Sequence, residues 1–346
     1  MSQQHTYNND PAAEQLIDTS LAAIARDVAA DPILSSNLQA VVLGGGYGRG
    51  EGGVTPDHKL YNDMDFFVFP KHYSSNELLK LQLHHLSVKW EQKLHIDVDF
   101  FLAPNANYLE RNKYTLMIQE LLAGHQVIYG DEHFLDHAPR LFWDELPWRE
   151  GARLLLNRGS GLLLARRAIN KPREQNFVNR NIHKAMLGCG DAILLAHGEY
   201  KQHGIERMHI LAMQPDLPPR LLEEYQKSLK FKYTPQLDAP EISPEQLNQA
   251  IGLYLECVNS FCRAVTGIQC KSVEESLKKL LHFTPGYRDQ SLKNIILTLK
   301  YAPVMHRINP VYEHPRLKLL LLLVDVLKNA DSPNENRYLK IWEKLN

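Results

Sequence analysis

Four aspartates fall into two pairs of identical spacing. Asp63 and Asp65 stand in YNDMDFFVF, Asp97 and Asp99 in HIDVDFFL, and each pair runs into an apolar, aromatic stretch of strand length. Side chains alternate between the two faces of a strand, so residues two apart share a face. Each pair therefore sets two carboxylates side by side. Like charges so close repel unless a cation neutralises them. Ionised carboxylates among Ile, Val, Phe and Leu are also costly to bury without partners. Hard divalent ions such as Mg²⁺ take oxygen ligands and keep phosphate partners as well. If the two strands are neighbours, their acids form one anionic cluster, of the kind that holds two metal ions for in-line phosphoryl or nucleotidyl transfer. For either pair alone, a merely polar strand start is the competing reading.

Upstream lies VVLGGGYGRGEGG, Val41 to Gly53, with seven of the chain's 19 glycines. Clustered bare N–H groups bind anions well, which makes phosphate the first candidate ligand. Gly48–Gly53 formally satisfies GxGxxG, but that fingerprint opens a helix and expects one acid at the end of the next strand. Here two acids begin the strand. No Gly-Lys-Ser/Thr follows, which excludes a P-loop.

A strand ending in Gly-Gly, an Asp-x-Asp strand and an acid on a further strand together resemble the DNA polymerase β-like nucleotidyltransferase superfamily. The segment GGYGRGEGG is similar to the Gly-Ser/Gly-Gly loop of its smaller bacterial members, and the resemblance spans about Leu38 to Pro104. It implies that Asp63 and Asp65 are paired ligands of Mg²⁺ (or Mn²⁺). Asp97 in IDV best matches the third carboxylate, with Asp99 its rival. It further implies that Gly45 and Gly46 cradle the phosphates of an NTP, ATP foremost, and that an NMP passes to an acceptor hydroxyl with release of pyrophosphate. One departure is visible. Sixteen residues separate Gly46 from Asp63, more than is usual in the family, as an inserted loop around Val54–Tyr61 would explain.

The elements that must position these residues follow from periodicity. Leu16, Ile17, Leu21, Ile24 and Val28 predict a helix over Pro11 to Ala30. Strands are expected at Leu38–Leu43, Asp65–Phe69, His95–Leu102 and Gln126–Tyr129. Helices are expected from a Ser75 N-cap to about Gln92 and over Thr115–Ala123. Beyond about Trp143 only helical patterns occur: Arg153–Ala168, Phe177–His197, Pro244–Val265, Val273–His282, Gln290–Leu299 and Arg316–Lys328. Gln214–Pro219 and Lys230–Ser243 read as breaks. The expected fold class is α+β, and the resemblance implies a mixed-sheet nucleotidyltransferase domain over residues 1–145 followed by an all-helical domain over 146–346. In the family such a second domain forms the other wall of a cleft and sets acceptor specificity.

Weaker candidates stand beside these. Arg49 would balance triphosphate charge, or merely face solvent. Lys184 resembles the family's second-domain, triphosphate-reaching lysine by its place in the chain only. It lies seven residues from Asp191, on one helical face. Arg158, amid apolar residues, calls for an acidic partner. His133 and His137 have i, i+4 spacing but no third ligand, which argues against zinc. The net charge of −1 disfavours nucleic acid as partner and leaves a small molecule or a protein as acceptor. Two alternatives to such an enzyme stay open: a nucleotide-binding regulatory or toxin–antitoxin-type module without turnover, and an RNA 3′-end tailing enzyme. With no secretory h-region, no apolar run near 20 residues and four scattered cysteines, a cytoplasmic protein with reduced thiols is expected.

Overall fold

Strand β1, Leu38–Leu43, is interior to a four-stranded sheet ordered β3-β2-β1-β4, with β2 at Met64–Pro70, β3 at Val98–Leu102 and β4 at Gln126–Tyr129. It runs antiparallel to both neighbours, while β2 and β3 are parallel. A parallel pair needs a crossover, and helix α2 (Glu77–Leu94) supplies it. The computed structural model describes residues 3–72, 77–104, 107–215, 217–237, 240–283 and 315–345. The expected Ser75 N-cap and the Gln290–Leu299 helix lie outside these residues.

The sheet is apolar on both faces, so each face needs a cover. Val41, Leu43, Met64, Phe66, Val68 and Val98 pack beneath α2 and α1 (Pro11–Ala30), which contribute Ile17, Leu21, Ile24, Leu83, Leu86 and Trp90. Each such fully buried aliphatic side chain stabilises the fold by about 1.5–3 kcal/mol. The other face carries Ala40, Val42, Phe67 and Phe69 and is covered by Ile118, Leu121 and Leu122 of α3 (Leu116–Ala123). Helix α1 starts cleanly because Asp10 accepts from the Ala12 and Ala13 amides and Pro11 follows it. Strand β3 begins three residues later than His95. The His95 amide still bonds to the Glu91 carbonyl and its φ of 57° is left-handed, so this residue closes α2 and cannot begin the strand.

The chain divides into two compact units, Met1–Leu146 with Leu229–Ala239, and Pro147–Ser228 with Pro240–Asn346. Among the described residues all four strands lie in the first. The second contains helices α4 (Trp148–Ala168), α5 (Gln175–His197), α6 (Gly204–Leu211), most of α7 (Leu221–Tyr233), α8 (Pro244–Thr266), α9 (Val273–His282), α10 (Pro315–Lys328) and α11 (Glu335–Leu345). Helices α4 and α5 approach closely where Gly188 lies against the stem of Arg158. Ser160 Oγ donates to the Leu156 carbonyl at 2.7 Å and meets Tyr338 Oη at 2.5 Å, so the phenol is the donor to the serine. Cys189, Cys257 and Cys262 are buried and Cys270 half-buried, all as free thiols, and burial pushes the Cys257 and Cys262 thiols up. No helix among the described residues is long and apolar enough to cross a membrane.

Candidate functional site

The β2–β3 register sets Asp65 directly opposite Asp99. By strand alternation Asp65 and Asp99 share the face of Phe67 and Phe101, whose rings meet edge to face with centroids 5.8 Å apart, while Asp63 and Asp97 immediately precede the two strands. Asp63 and Asp65 are half-buried, Asp97 and Asp99 exposed. Asp97 precedes β3, and its carbonyl accepts the Met64 amide at 2.9 Å. The structure thus brings Asp65 and Asp99 into register, with Asp63 and Asp97 at the mouths of their strands.

The glycine stretch joins this group through its first residues. The Gly44 amide donates to the Asp65 carbonyl at 2.8 Å and so extends the β1–β2 ladder by one bond. Gly45 has φ 61°, and a Cβ there would collide with Asp65 Oδ2 and stand 2.9 Å from Cγ. Only glycine lets the carboxylate lie this close to the loop backbone. Gly45–Gly48 then makes a single helical turn where the sequence suggests a loop.

Most of the remaining glycines are required by the protein's own atoms. A side chain at Gly44 would strike Phe67 and Leu121, one at Gly48 the Leu43 carbonyl, one at Gly52 the Tyr47 ring and one at Gly53 the Lys232 carbonyl. Gly46 differs: its nearest neighbour would be the Glu51 carbonyl at 3.7 Å, an ordinary contact. Tyr47 is wholly buried, donates to the Gly53 carbonyl and accepts from the Tyr61 amide, both at 3.2 Å. Burial pushes its phenol well above the usual range, and the charge of Asp63 adds to that. The Gly53 amide donates to Asn62 Oδ1, which ties the end of the loop to the residue before Asp63.

Charged side chains interlock behind this loop. Arg49 Nη1 lies 3.4 Å from Glu120 and its Nε 3.9 Å from Glu51. Glu51, only 3% exposed, accepts from Lys232 Nζ at 2.7 Å and Tyr233 Oη at 3.0 Å. The amino-terminal arm closes the other side. Tyr7 and Gly52 amides bond to the Gly52 and His5 carbonyls respectively, each at 3.0 Å, and the Gln3 amide side chain reaches the Gly48 carbonyl at 2.9 Å. Sequence reasoning missed Glu51, Asn62, Lys232 and the arm. A lone carboxylate in a run of glycines was the one available signal.

In the second unit Lys184 is half-buried on α5. Asp191, on the same helix, pairs with Arg207 Nε at 2.9 Å and accepts from Tyr225 Oη at 2.7 Å. Next to Lys184, His183 Nδ1 lies 3.0 Å from Ser228 Oγ, and burial holds its imidazole down to about 4. His133 pairs with Asp136 at 2.8 Å on the surface of the first unit. Among the described residues no three His, Cys, Asp or Glu side chains already converge as a metal-binding group. The donor set near Gly45 is nonetheless chemically suited to a hard divalent cation, since it consists of carboxylates on adjacent strands beside half-buried glycine backbone. No family model, curated protein or solved structure matches this chain.

Proposed function

We propose that the protein is a Mg²⁺-dependent nucleotidyltransferase that moves an NMP, AMP foremost, from an NTP to an acceptor hydroxyl and releases pyrophosphate. One observation carries the reading: Asp65 faces Asp99 across parallel strands while its carboxylate lies against a glycine with no room for a side chain. Like charges directly opposite one another in a sheet repel, and a cation bound between them offsets that repulsion. A divalent cation does so, and Asp63, Asp65 and Asp99 would hold it. When bound, Mg²⁺ (or Mn²⁺) supplies charge neutralisation for the phosphates and the attacking oxygen.

The chain's own groups supply the rest. Gly45 and Gly46 offer half-buried backbone to the departing phosphates, and Gly46 is the loop glycine whose Cβ position meets only ordinary contacts. The strand register favours Asp99 over Asp97 as the third carboxylate, the one that takes the acceptor hydroxyl's proton. Arg49 adds positive charge behind the loop, shared with Glu51 and Glu120. Lys184 keeps its claim to the triphosphate only through its place in the chain.

A second reading, a nucleotide-binding module without turnover, draws on the glycines. Five of the seven, Gly45 among them, are crowded by the protein's own atoms, so the composition of the loop does not by itself demand chemistry. Pyrophosphate release separates the two. Incubation of the protein with each NTP, Mg²⁺ and a panel of hydroxyl-bearing small molecules and proteins should release pyrophosphate, and Asp63→Asn should stop it. Full turnover by Asp63→Asn would falsify the assignment, and binding without release from any pair would favour the module.

A further inference from the structure

We infer that Lys232 and Tyr233 are positioning residues for the glycine loop, acting on it through Glu51, so that the candidate nucleotide site depends on chain 181 residues downstream. This rests on the proposed nucleotide reading for its consequence, though not for its geometry.

A carboxylate as buried as that of Glu51 is tolerated only when paired and hydrogen-bonded. Glu51 has both. Lys232 Nζ takes one oxygen at 2.7 Å and Tyr233 Oη the other at 3.0 Å. The main chain of the same residue reaches forward into the site, since the Glu51 amide donates to the Gly46 carbonyl at 2.9 Å. Fixing the Glu51 side chain therefore fixes the peptide of the one loop glycine that faces ordinary rather than crowded surroundings. Lys232 Nζ is held at 2.7 Å by the carboxylate that also lies 3.9 Å from Arg49 Nε, which makes the lysine an anchor for the loop.

The same segment grips the loop twice more. The Val54 amide bonds to the Tyr233 carbonyl at 3.2 Å, and Gly53 lies so near the Lys232 carbonyl that no Cβ fits between them. Tyr233 also stacks on Tyr7, with centroids 3.8 Å apart and planes 5° from parallel. Tyr7 in turn donates its amide to the Gly52 carbonyl. Residues 51–54 are thus held between the amino-terminal arm and residues 232–233. A site that must hold backbone donors within fractions of an ångström needs such support.

The test follows amide hydrogen exchange of residues 44–54 and ATP binding with Mg²⁺, in the full chain carrying Lys232→Met, Tyr233→Phe or Lys232→Arg. Exchange in 44–54 should accelerate about tenfold or more in Lys232→Met and less in Tyr233→Phe, while β1 and α1 exchange as in wild type. Lys232→Arg, which keeps the charge, should restore protection. The Kd for ATP with Mg²⁺ should rise about tenfold in Lys232→Met. Should Lys232→Met fail to fold, Tyr233→Phe decides by the same readings. Unchanged loop exchange in folded variants would overturn the inference, as would acceleration spread evenly over the first unit. If the wild type binds no NTP while the loop exchange responds as stated, the nucleotide reading falls and the positioning role stands.

Discussion

Gly45→Ala tests the geometry of the site most sharply, because the same substitution one residue on is sterically neutral. At Gly45 the new methyl group meets two penalties. A left-handed φ of 61° costs an alanine about 1–2 kcal/mol. Overpacking against the Asp65 carboxylate, whose Cγ would lie 2.9 Å away, adds about 1–3 kcal/mol. Together these predict a loss of roughly 2–5 kcal/mol in the stability of the first unit. At Gly46 the nearest atom would be 3.7 Å away and φ is not positive, so Gly46→Ala should change stability by under about 1 kcal/mol. Urea denaturation followed by circular dichroism measures both. If bare backbone at Gly46 meets phosphate, Gly46→Ala should nevertheless bind ATP at least about tenfold more weakly. A Gly45→Ala protein as stable as the wild type would refute the close approach of Asp65 to the loop.

Three further outcomes follow. Asp99→Asn should abolish the Mg²⁺ dependence of ATP binding, while Asp97→Asn should keep it within about threefold, since only Asp99 faces Asp65; calorimetry on both variants checks this. His183 takes up its proton near 6.5 when the chain unfolds but not until about 4 in the fold, so unfolding binds a proton in between and stability falls as pH drops through that window. The loss amounts to roughly 3 kcal/mol, and stability curves at pH 7.5 and 4.5 should converge in His183→Gln relative to wild type. Arg207→Met should destabilise the helical unit by about 1.5–3 kcal/mol, read by denaturant midpoint, because it removes the guanidinium 2.9 Å from half-buried Asp191. Tyr225→Phe, which removes one hydrogen bond to that carboxylate, should cost about half as much or less.

The sheet was legible because its strands carry their own signals. Leu38–Leu43 and Gln126–Tyr129 are bounded as their apolar runs suggest, and the Asp-x-Asp spacing declares a shared face before any partner is known. The parallel register that sets Asp65 against Asp99 was not legible, because it depends on how α2 returns the chain. Lys230–Ser243 reads as a loop, yet α7 runs to Tyr233 and residues 229–239 belong with the first unit. What recruits them is the stacking of Tyr233 on Tyr7 and the burial of Glu51, contacts between residues far apart in sequence. The polar amino terminus hides its role for the same reason: its backbone, not its side-chain pattern, bonds to Gly52. Among the glycines, composition suggested one ligand where the structure shows four separate steric needs and, at Gly45, an approaching carboxylate.

If the Asp65–Asp99 pair and the Gly45–Gly46 backbone form one metal-dependent nucleotide site, ATP binding needs both the metal and the Asp65 carboxylate. Calorimetric titration with ATP, with Mg²⁺ present and then withheld, on wild type and on Asp65→Asn, tests it most directly. Binding should need Mg²⁺ and disappear in the variant. Binding indifferent to both the metal and the substitution, or no binding under any condition, would contradict it.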